Sequence, residues 1–322
     1  PGTGDWSFLA MDPFGVLVSQ NGTARFVQAD TTRETRSGVL DALADLLAEF
    51  RSSPDPGCPV PFQGGAAGYL SYDLGAEVEA LPPPRSRDLD LPELELGFYD
   101  CLIGWNHRTG SCCVVSTGLP LRGAAAGQRA ERRAAELIGW IRGESAPSGP
   151  PGELAELAVS GTADRVGTPG AGADGEGREY RLGRGELTSG FTRRGYEDAV
   201  REAIEKVRAG DIFQVNLSQR FSAPAPDDPV SFYLDLRQRA PAPFGAWFVG
   251  ARCSIASASP ERFVSQSAEG RLEVRPIKGT RPRGADPDTD RRLAAELLAS
   301  DKDRAENLMI ADLMRNDVSR VS

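Results

Sequence analysis

Histidine is almost absent: His107 is the only one in 322 residues, and lysine occurs just three times. His107 lies in Trp105-Asn106-His107-Arg108-Thr109-Gly110, among turn formers, and reads as a solvated hairpin residue. Five cysteines (Cys58, Cys101, Cys112, Cys113, Cys253) are scattered with no CxxC spacing. A structural zinc site and an HExxH helix therefore lack their ligands. A Ser-His-Asp triad would have to use His107, and nothing beside it in the sequence supports one. An odd cysteine count argues against a disulfide framework and fits a reducing cytoplasm, where cysteine packs as a small apolar residue. No apolar run reaches the ~18 residues of a membrane span, and the first residues carry no signal-peptide pattern. Asn21-Gly22-Thr23 matches a glycosylation acceptor without a secretion signal to deliver it.

Positive charge is also in deficit. The net charge is −9 and the pI about 4.9. Such a chain repels nucleic acid and anionic membrane, so neither is expected as a partner. It repels small anions as well, unless a local patch or a bound cation recruits them. Arginine keeps its proton in proteins, so Lys206, Lys278 and Lys302 are the only side chains open to amine chemistry.

What is present is ordinary for a globular protein: 40% hydrophobic and 26% charged residues, enough for one large domain or two smaller ones. Apolar segments separated by turn signals fill residues 6–27, and Asn21-Gly22 predicts a hairpin. Leu40, Leu43, Leu47 and Phe50 predict a helix over 39–50. Small residues followed by aromatics over 60–75 predict a strand with close backbone approach. Strands follow at 96–105 and 112–117, and a helix at about 128–142. Residues 144–190 hold 11 glycines and 4 prolines and read as a linker or insertion. Their Gly170-Ala171-Gly172-Ala173-Asp174-Gly175 has no strand before it or helix after it, as a nucleotide loop requires. Tyr196, Val200, Ile204 and Val207 predict a helix, supported by Glu197/Arg201 and Glu202/Lys206 and closed by Gly210. Strands are expected at 212–221, 245–249, 253–257, 263–267 and 272–276. This order favours α+β with antiparallel sheets.

Three segments place polar residues where a plain element would carry apolar ones. Ser259-Pro260-Glu261-Arg262-Phe263 reads by itself as a solvated turn. Arg275–Gly284 carries four cations in nine residues, with Lys278 between Ile277 and Gly279. It is either a basic surface loop or a local anion site. In Ser300–Asp317, Ser300 and Asp303 fit a capping box, and Glu306 shares a helical face with Met309, Ile310, Leu313 and Asp317. A carboxylate on such a face needs an arginine, a hydrogen bond or a metal ion.

These segments, in this order, resemble the chorismate-utilising enzymes, the family of component I of aminodeoxychorismate synthase and of anthranilate synthase. The matching stretches are Pro61–Asp73, Gly210–Phe221, Ala240–Phe244, Ser259–Phe263, Pro276–Thr280 and Asp301–Asp317. The lysine in Pro276–Thr280 is similar to the aminodeoxychorismate branch; the anthranilate branch usually has alanine there. The resemblance implies an α+β sandwich of antiparallel sheets flanked by helices. With the glycine-rich linker (144–190), which has no counterpart in the family's pattern, the chain divides into an N-terminal region (1–143) resembling anthranilate synthase component I, the linker and the first part of a chorismate-binding catalytic region (191–322).

The resemblance further implies chorismate as substrate, a glutamine amidotransferase subunit or fused domain as partner, Mg2+ as cofactor and a cytoplasmic setting. Glu306 matches a magnesium ligand. Lys278 matches a nucleophile that attacks ring carbon C2, with Arg281 and Arg283 as nearby cations that favour its neutral form. Glu261 matches an active-site acid, and Gly279 and Thr280 match substrate contacts. Phe213, Asn216, Pro241, Pro243 and Phe244 correspond to a tryptophan pocket. The implied product is 4-amino-4-deoxychorismate, for 4-aminobenzoate and folate or for an antibiotic precursor. Anthranilate synthase component I and a non-catalytic chorismate- or tryptophan-binding module remain the alternatives. The resemblance places a catalytic histidine, a second magnesium glutamate and a glycine-rich segment after residue 322, and a first strand before residue 1. Residues 1–322 alone are therefore expected to lack turnover and, with an incomplete sandwich exposing strand edges, to dissolve poorly.

Overall fold

The computed structural model of the chain describes residues 4–29, 31–35, 38–82, 89–145, 180–181 and 186–321. Most of the glycine-rich stretch, including Gly170–Gly175, lies outside them. The chain divides into two compact units, Pro1–Pro229 with Phe248–Ser254, and Val230–Trp247 with Ile255–Ser322.

The first unit contains β1 (Trp6–Ala10), β2 (Gly15–Gln20), β3 (Thr23–Gln28), β4 (Thr31–Thr35), α1 (Val39–Glu49), β5 (Gly65–Leu70), β6 (Leu94–Tyr99), β7 (Cys101–Asn106), β8 (Cys112–Ser116) and α2 (Gly123–Ile141). They form a five-stranded sheet of order β4-β3-β2-β6-β5 and a three-stranded sheet β1-β7-β8, with antiparallel pairing throughout. Asn21 and Gly22 both take positive φ, 53° and 73°, as a tight hairpin turn between β2 and β3 requires. Leu17, Phe26, Leu94, Leu96 and Phe98 meet Val39 and Leu46 of α1 in the main core. Leu47, expected on that helix face, is 48% exposed. Cys101, Ile103 and Leu137 make a second core beneath α2. The close backbone approach expected near residue 65 is realised at Gly68, where a Cβ would stand 2.0 Å from the Glu95 carbonyl oxygen. His107 sits at the surface and shares a 2.7 Å hydrogen bond with the Ser7 hydroxyl.

Further along are β9 (Tyr180–Arg181), β10 (Thr188–Ser189), α3 (Arg193–Ala209) and β11 (Phe221–Ser222). The Thr192 side chain caps α3 by accepting from Gly195 N at 2.9 Å, and Gly210 ends it in the left-handed region at φ 82°. Both expected ion pairs form, Arg201–Glu197 at 3.7 Å and Lys206–Glu202 at 3.8 Å. The strand expected at 212–221 does not. Only Phe221 and Ser222 enter a ladder, with β10, and just before them the Arg220 carbonyl accepts from Gly190 N at 3.1 Å; backbone groups without such partners make no ladder.

Residues Phe248–Ser254 pack against β5 and β6. Phe248 meets the Tyr69 ring edge-on at 5.6 Å, Ala251 N donates to Glu95 Oε1 at 2.8 Å, and Arg252 pairs with Asp90 at 2.8 Å. Glu95 is only 4% exposed, and its Oε2 has no hydrogen-bond partner among the described residues. A Cβ on Gly250 would lie 2.5 Å from that oxygen. Burial pushes the Glu95 carboxyl above its ordinary value, partly opposed by the Ala251 hydrogen bond.

The second unit holds α4 (Pro229–Arg239) from Val230 on, β12 (Phe244–Val249) up to Trp247, β13 (Ser254–Ser259) from Ile255 on, β14 (Ser265–Gln266), β15 (Leu272–Glu273), α5 (Pro287–Ala299) and α6 (Asp301–Ser319), which α5 contacts. β12 pairs with β13 and β14 with β15. The helices α5 and α6 are capped by Asp286 and Ser300, the latter accepting from Asp303 N at 3.3 Å. None of its described residues is buried, and Phe263, Leu298 and Leu308 are 84%, 76% and 63% exposed. Among the described residues no helix is long and apolar enough to cross a membrane.

Two expectations follow for stability. A carboxyl raised by folding favours the folded state while protonated, so its contribution holds below the unfolded value of about 4.3 and is lost as pH rises through the folded value. Glu95→Gln escapes that loss. Its urea midpoint should gain on wild type as pH rises above about 4.3, until the folded carboxyl is fully ionised; parallel curves would show that Glu95 carries no such penalty. Ser300→Ala removes the cap of α6 and should cost about 1 kcal/mol in the same measurement.

Candidate functional site

The three polar segments singled out in the sequence all fall in the second unit. The first two meet directly. Ile277 N donates to Glu261 Oε1 at 3.1 Å, so the Ser259–Phe263 turn holds the backbone beside Lys278. The Ser259 hydroxyl donates to the Glu261 carbonyl at 2.9 Å and tightens that turn. Neighbouring Arg262 pairs with Glu273, which also takes Arg275 at 3.0 Å.

Gly279 adopts φ 78°, a conformation glycine tolerates and most residues do not. It leans on α6: a Cβ there would stand 2.7 Å from Asp303 Cγ. Arg281 pairs with Asp303 at 3.2 Å and with Glu296 of α5 at 2.9 Å. Arg283 pairs with Asp290 at 2.7 Å. The two arginines expected to supply positive charge near Lys278 are thus each matched by carboxylates. The Ser300 hydrogen bond, helped by Arg281, holds the Asp303 carboxyl below its ordinary value. Glu273, Glu296 and Asp290 were not visible in the sequence as partners, since none of these pairs has the i,i+3 or i,i+4 spacing of a helix. Asp303 was visible only as a capping residue.

Lys278 is half-buried, and its side chain makes no ion pair or hydrogen bond among the described residues. Glu306, half-buried on α6, is likewise without a partner there, so the arginine pairing open to it on sequence grounds does not occur. Thr280 is exposed. Pro241, Pro243 and Phe244 lie in the second unit, and Phe213 and Asn216 in the first. Among the described residues no group of three or more His, Cys, Asp or Glu side chains forms a metal site. A groove of about 470 Å³ runs between β15 and α6, lined by Leu272, Val274 and Pro276 and by Ala311, Arg315 and Val318. Lys278, Glu261 and Glu306 do not line it.

Comparison with known proteins agrees with these motifs. Aminodeoxychorismate synthase component 1 of Salmonella typhimurium is 34% identical over 317 residues, 98% of this chain and 60% of its own length. Anthranilate synthase component 1 of Thermus thermophilus is 36% identical over 289 residues, 90% of this chain and 54% of its own. The crystal structure of anthranilate synthase component I from Streptococcus pneumoniae matches with a TM-score of 0.73 at 24% identity, over 98% of this chain and 62% of that one. That likeness bears on the fold, and it agrees with the α+β architecture of antiparallel sheets expected from the sequence. The chain spans about 60% of the length of the aminodeoxychorismate synthase relatives it matches. The family described as chorismate binding enzyme matches residues 6–322, and the chain belongs to it.

Proposed function

We propose that the protein takes part in converting chorismate and ammonia to 4-amino-4-deoxychorismate, as component I of an aminodeoxychorismate synthase. Lys278 carries this reading: it is a lysine whose side chain has no partner among the described residues, on a loop whose backbone is tied down on both sides. Relatives named aminodeoxychorismate synthase component 1, at 34%, 31% and 32% identity, support it. That name and the ammonia chemistry call for a glutamine amidotransferase partner.

In the proposed chemistry the neutral Lys278 amine bonds to ring carbon C2, the ring double bonds shift, and the C4–O bond breaks. The proton shed by the new C–N centre leaves with the departing hydroxide as water. Ammonia then bonds to C4 while the Lys278–C2 bond breaks, and its surplus proton returns to the lysine nitrogen. Glu261 is the acid–base group for these transfers. Its Oε1 anchors Ile277 N, and its Oε2 takes no partner among the described residues. Gly279 and Thr280 offer backbone and hydroxyl contacts to the substrate.

Glu306 is the residue that would hold magnesium. An unpaired, half-buried carboxylate fits an ion that takes one or two carboxylates and keeps several waters. When bound, such an ion neutralises substrate carboxylate charge. Phe213, Asn216, Pro241, Pro243 and Phe244 are proposed as a tryptophan-binding set. The second reading, anthranilate synthase, is favoured by relatives of that name at 36% identity; product identity separates the two.

In the full natural chain, Lys278→Arg keeps the charge and loses the nucleophile. Its kcat for 4-amino-4-deoxychorismate should fall by well over about tenfold, and mass spectrometry of the wild type without ammonia should find an adduct on the Lys278 peptide. A nearly active arginine variant with no adduct would leave Lys278 an electrostatic residue. Glu306→Gln should raise the magnesium concentration needed for half-maximal rate by at least about tenfold. An unchanged titration would remove Glu306 from the metal.

A further inference from the structure

The proposed chemistry uses Lys278, Glu261 and Glu306 and gives no role to Asp303, the carboxylate that touches the loop on the C-terminal side of Lys278. Asp303 sits in the first turn of α6, one helical turn before Glu306, with its side chain only 16% exposed. Three contacts converge on it. Its backbone N–H is held by the Ser300 hydroxyl at 3.3 Å. Its Oδ2 takes Arg281 at 3.2 Å, and Arg281 is at the same time bound to Glu296 on α5. Its Cβ, Cγ and Oδ1 occupy the space a Gly279 side chain would need, at 2.8, 2.7 and 2.9 Å from the ideal Cβ position.

The arrangement brackets Lys278. On its N-terminal side Ile277 N is fixed by Glu261. On its C-terminal side Gly279 is seated against Asp303, in a left-handed conformation that opens no alternative for most other residues. Two residues on, Arg281 locks the chain to both helices. The backbone of the loop is therefore held while the Lys278 side chain is left without a partner. A nucleophile gains most when its base is fixed before substrate arrives, because misplacement by about 1 Å can cost about 100-fold in rate.

We propose that Asp303 is a positioning residue for Lys278, acting through Gly279 and Arg281 rather than on the substrate; this rests on Lys278 being the nucleophile.

The test uses the full natural chain. Asp303→Asn preserves shape and the backbone cap and removes the charge. Amide hydrogen exchange in the peptide spanning residues 277–283 should rise about tenfold, while the rest of α6 stays protected. The kcat should fall about tenfold or more, with KM for chorismate changing less than about threefold and the magnesium requirement unchanged. Asp303→Glu, which restores the charge facing Arg281, should recover most of both losses. Gly279→Ala and Asp303→Ala together should cost less than the two separate losses combined, since removing the carboxyl frees space for the new methyl. Unchanged exchange in Asp303→Asn, or strictly additive losses in the double variant, would overturn the proposal. So would a shifted magnesium requirement with exchange unchanged, which would assign Asp303 to the metal. If wild type makes anthranilate or forms no Lys278 adduct while the exchange and coupling results hold, the reading of Lys278 falls alone. If the adduct and product are as proposed and the coupling is absent, only the role of Asp303 falls.

Discussion

Asp100 is the joint on which the first unit depends. It is the single residue between the end of β6 and the start of β7, and so between the two sheets, and it is fully buried. A carboxylate taken out of water must be paired, and the partners come from α2: Arg129 at 3.2 Å and Arg133 at 3.5 Å. Arg133 then reaches Asp12 at 2.5 Å, in the connection between β1 and β2, and lies over the Trp140 ring. One helix is thereby bound to the junction of both sheets. Burial pushes the Asp100 carboxyl upward against the pull of the two guanidiniums. The cluster therefore fixes where α2 sits more than it adds stability, which comes from the apolar layer of Leu17, Phe26, Leu96 and Phe98 beside it.

The second unit is organised differently. With no buried residue among those described, it is held by caps, ion pairs and the stacking of Tyr233 on Trp247 at 5.7 Å. Each large apolar side chain left exposed forgoes about 1.5–3 kcal/mol of burial. Phe263, Leu298 and Leu308 are of this kind. Local geometry around Lys278 is consequently set by directional contacts: one N–H to Glu261, one glycine against Asp303, one arginine shared by two carboxylates. Such contacts specify a loop conformation without requiring a core beneath it.

This difference also explains what was legible in the sequence. Local rules held wherever the cause was local. Asn21-Gly22 made its turn, Gly210 closed α3, and Ser300 capped α6. The motifs carried the family. Reasoning failed where the cause lay far along the chain. Residues 212–220 alternate as a strand should, yet pairing is available only at 221–222. The face of α6 bearing Glu306 has helical apolar spacing, yet Met309 and Leu313 on it are 46% and 41% exposed. Four cations within nine residues left an anion site open, but the carboxylate partners of the three arginines among them, Glu273, Asp290, Glu296 and Asp303, include residues up to 22 positions away. A composition window sees the cations and cannot see their pairing.

That pairing returns to the charge of the whole molecule. Arg275, Arg281 and Arg283 are each neutralised, so of the cations in residues 275–283 only Lys278 has no carboxylate partner among the described residues. As a nucleophile it must surrender its proton, and with it the attraction for a dicarboxylate in a chain of net charge −9. The one unpaired carboxylate of the proposed set, Glu306, can recruit the missing positive charge as a bound cation. A metal ion and a neutral lysine are then complementary requirements. In the proposed chemistry the loop would present an amine free to react because its arginines are spent on holding the backbone, and the anion would be held from α6 instead.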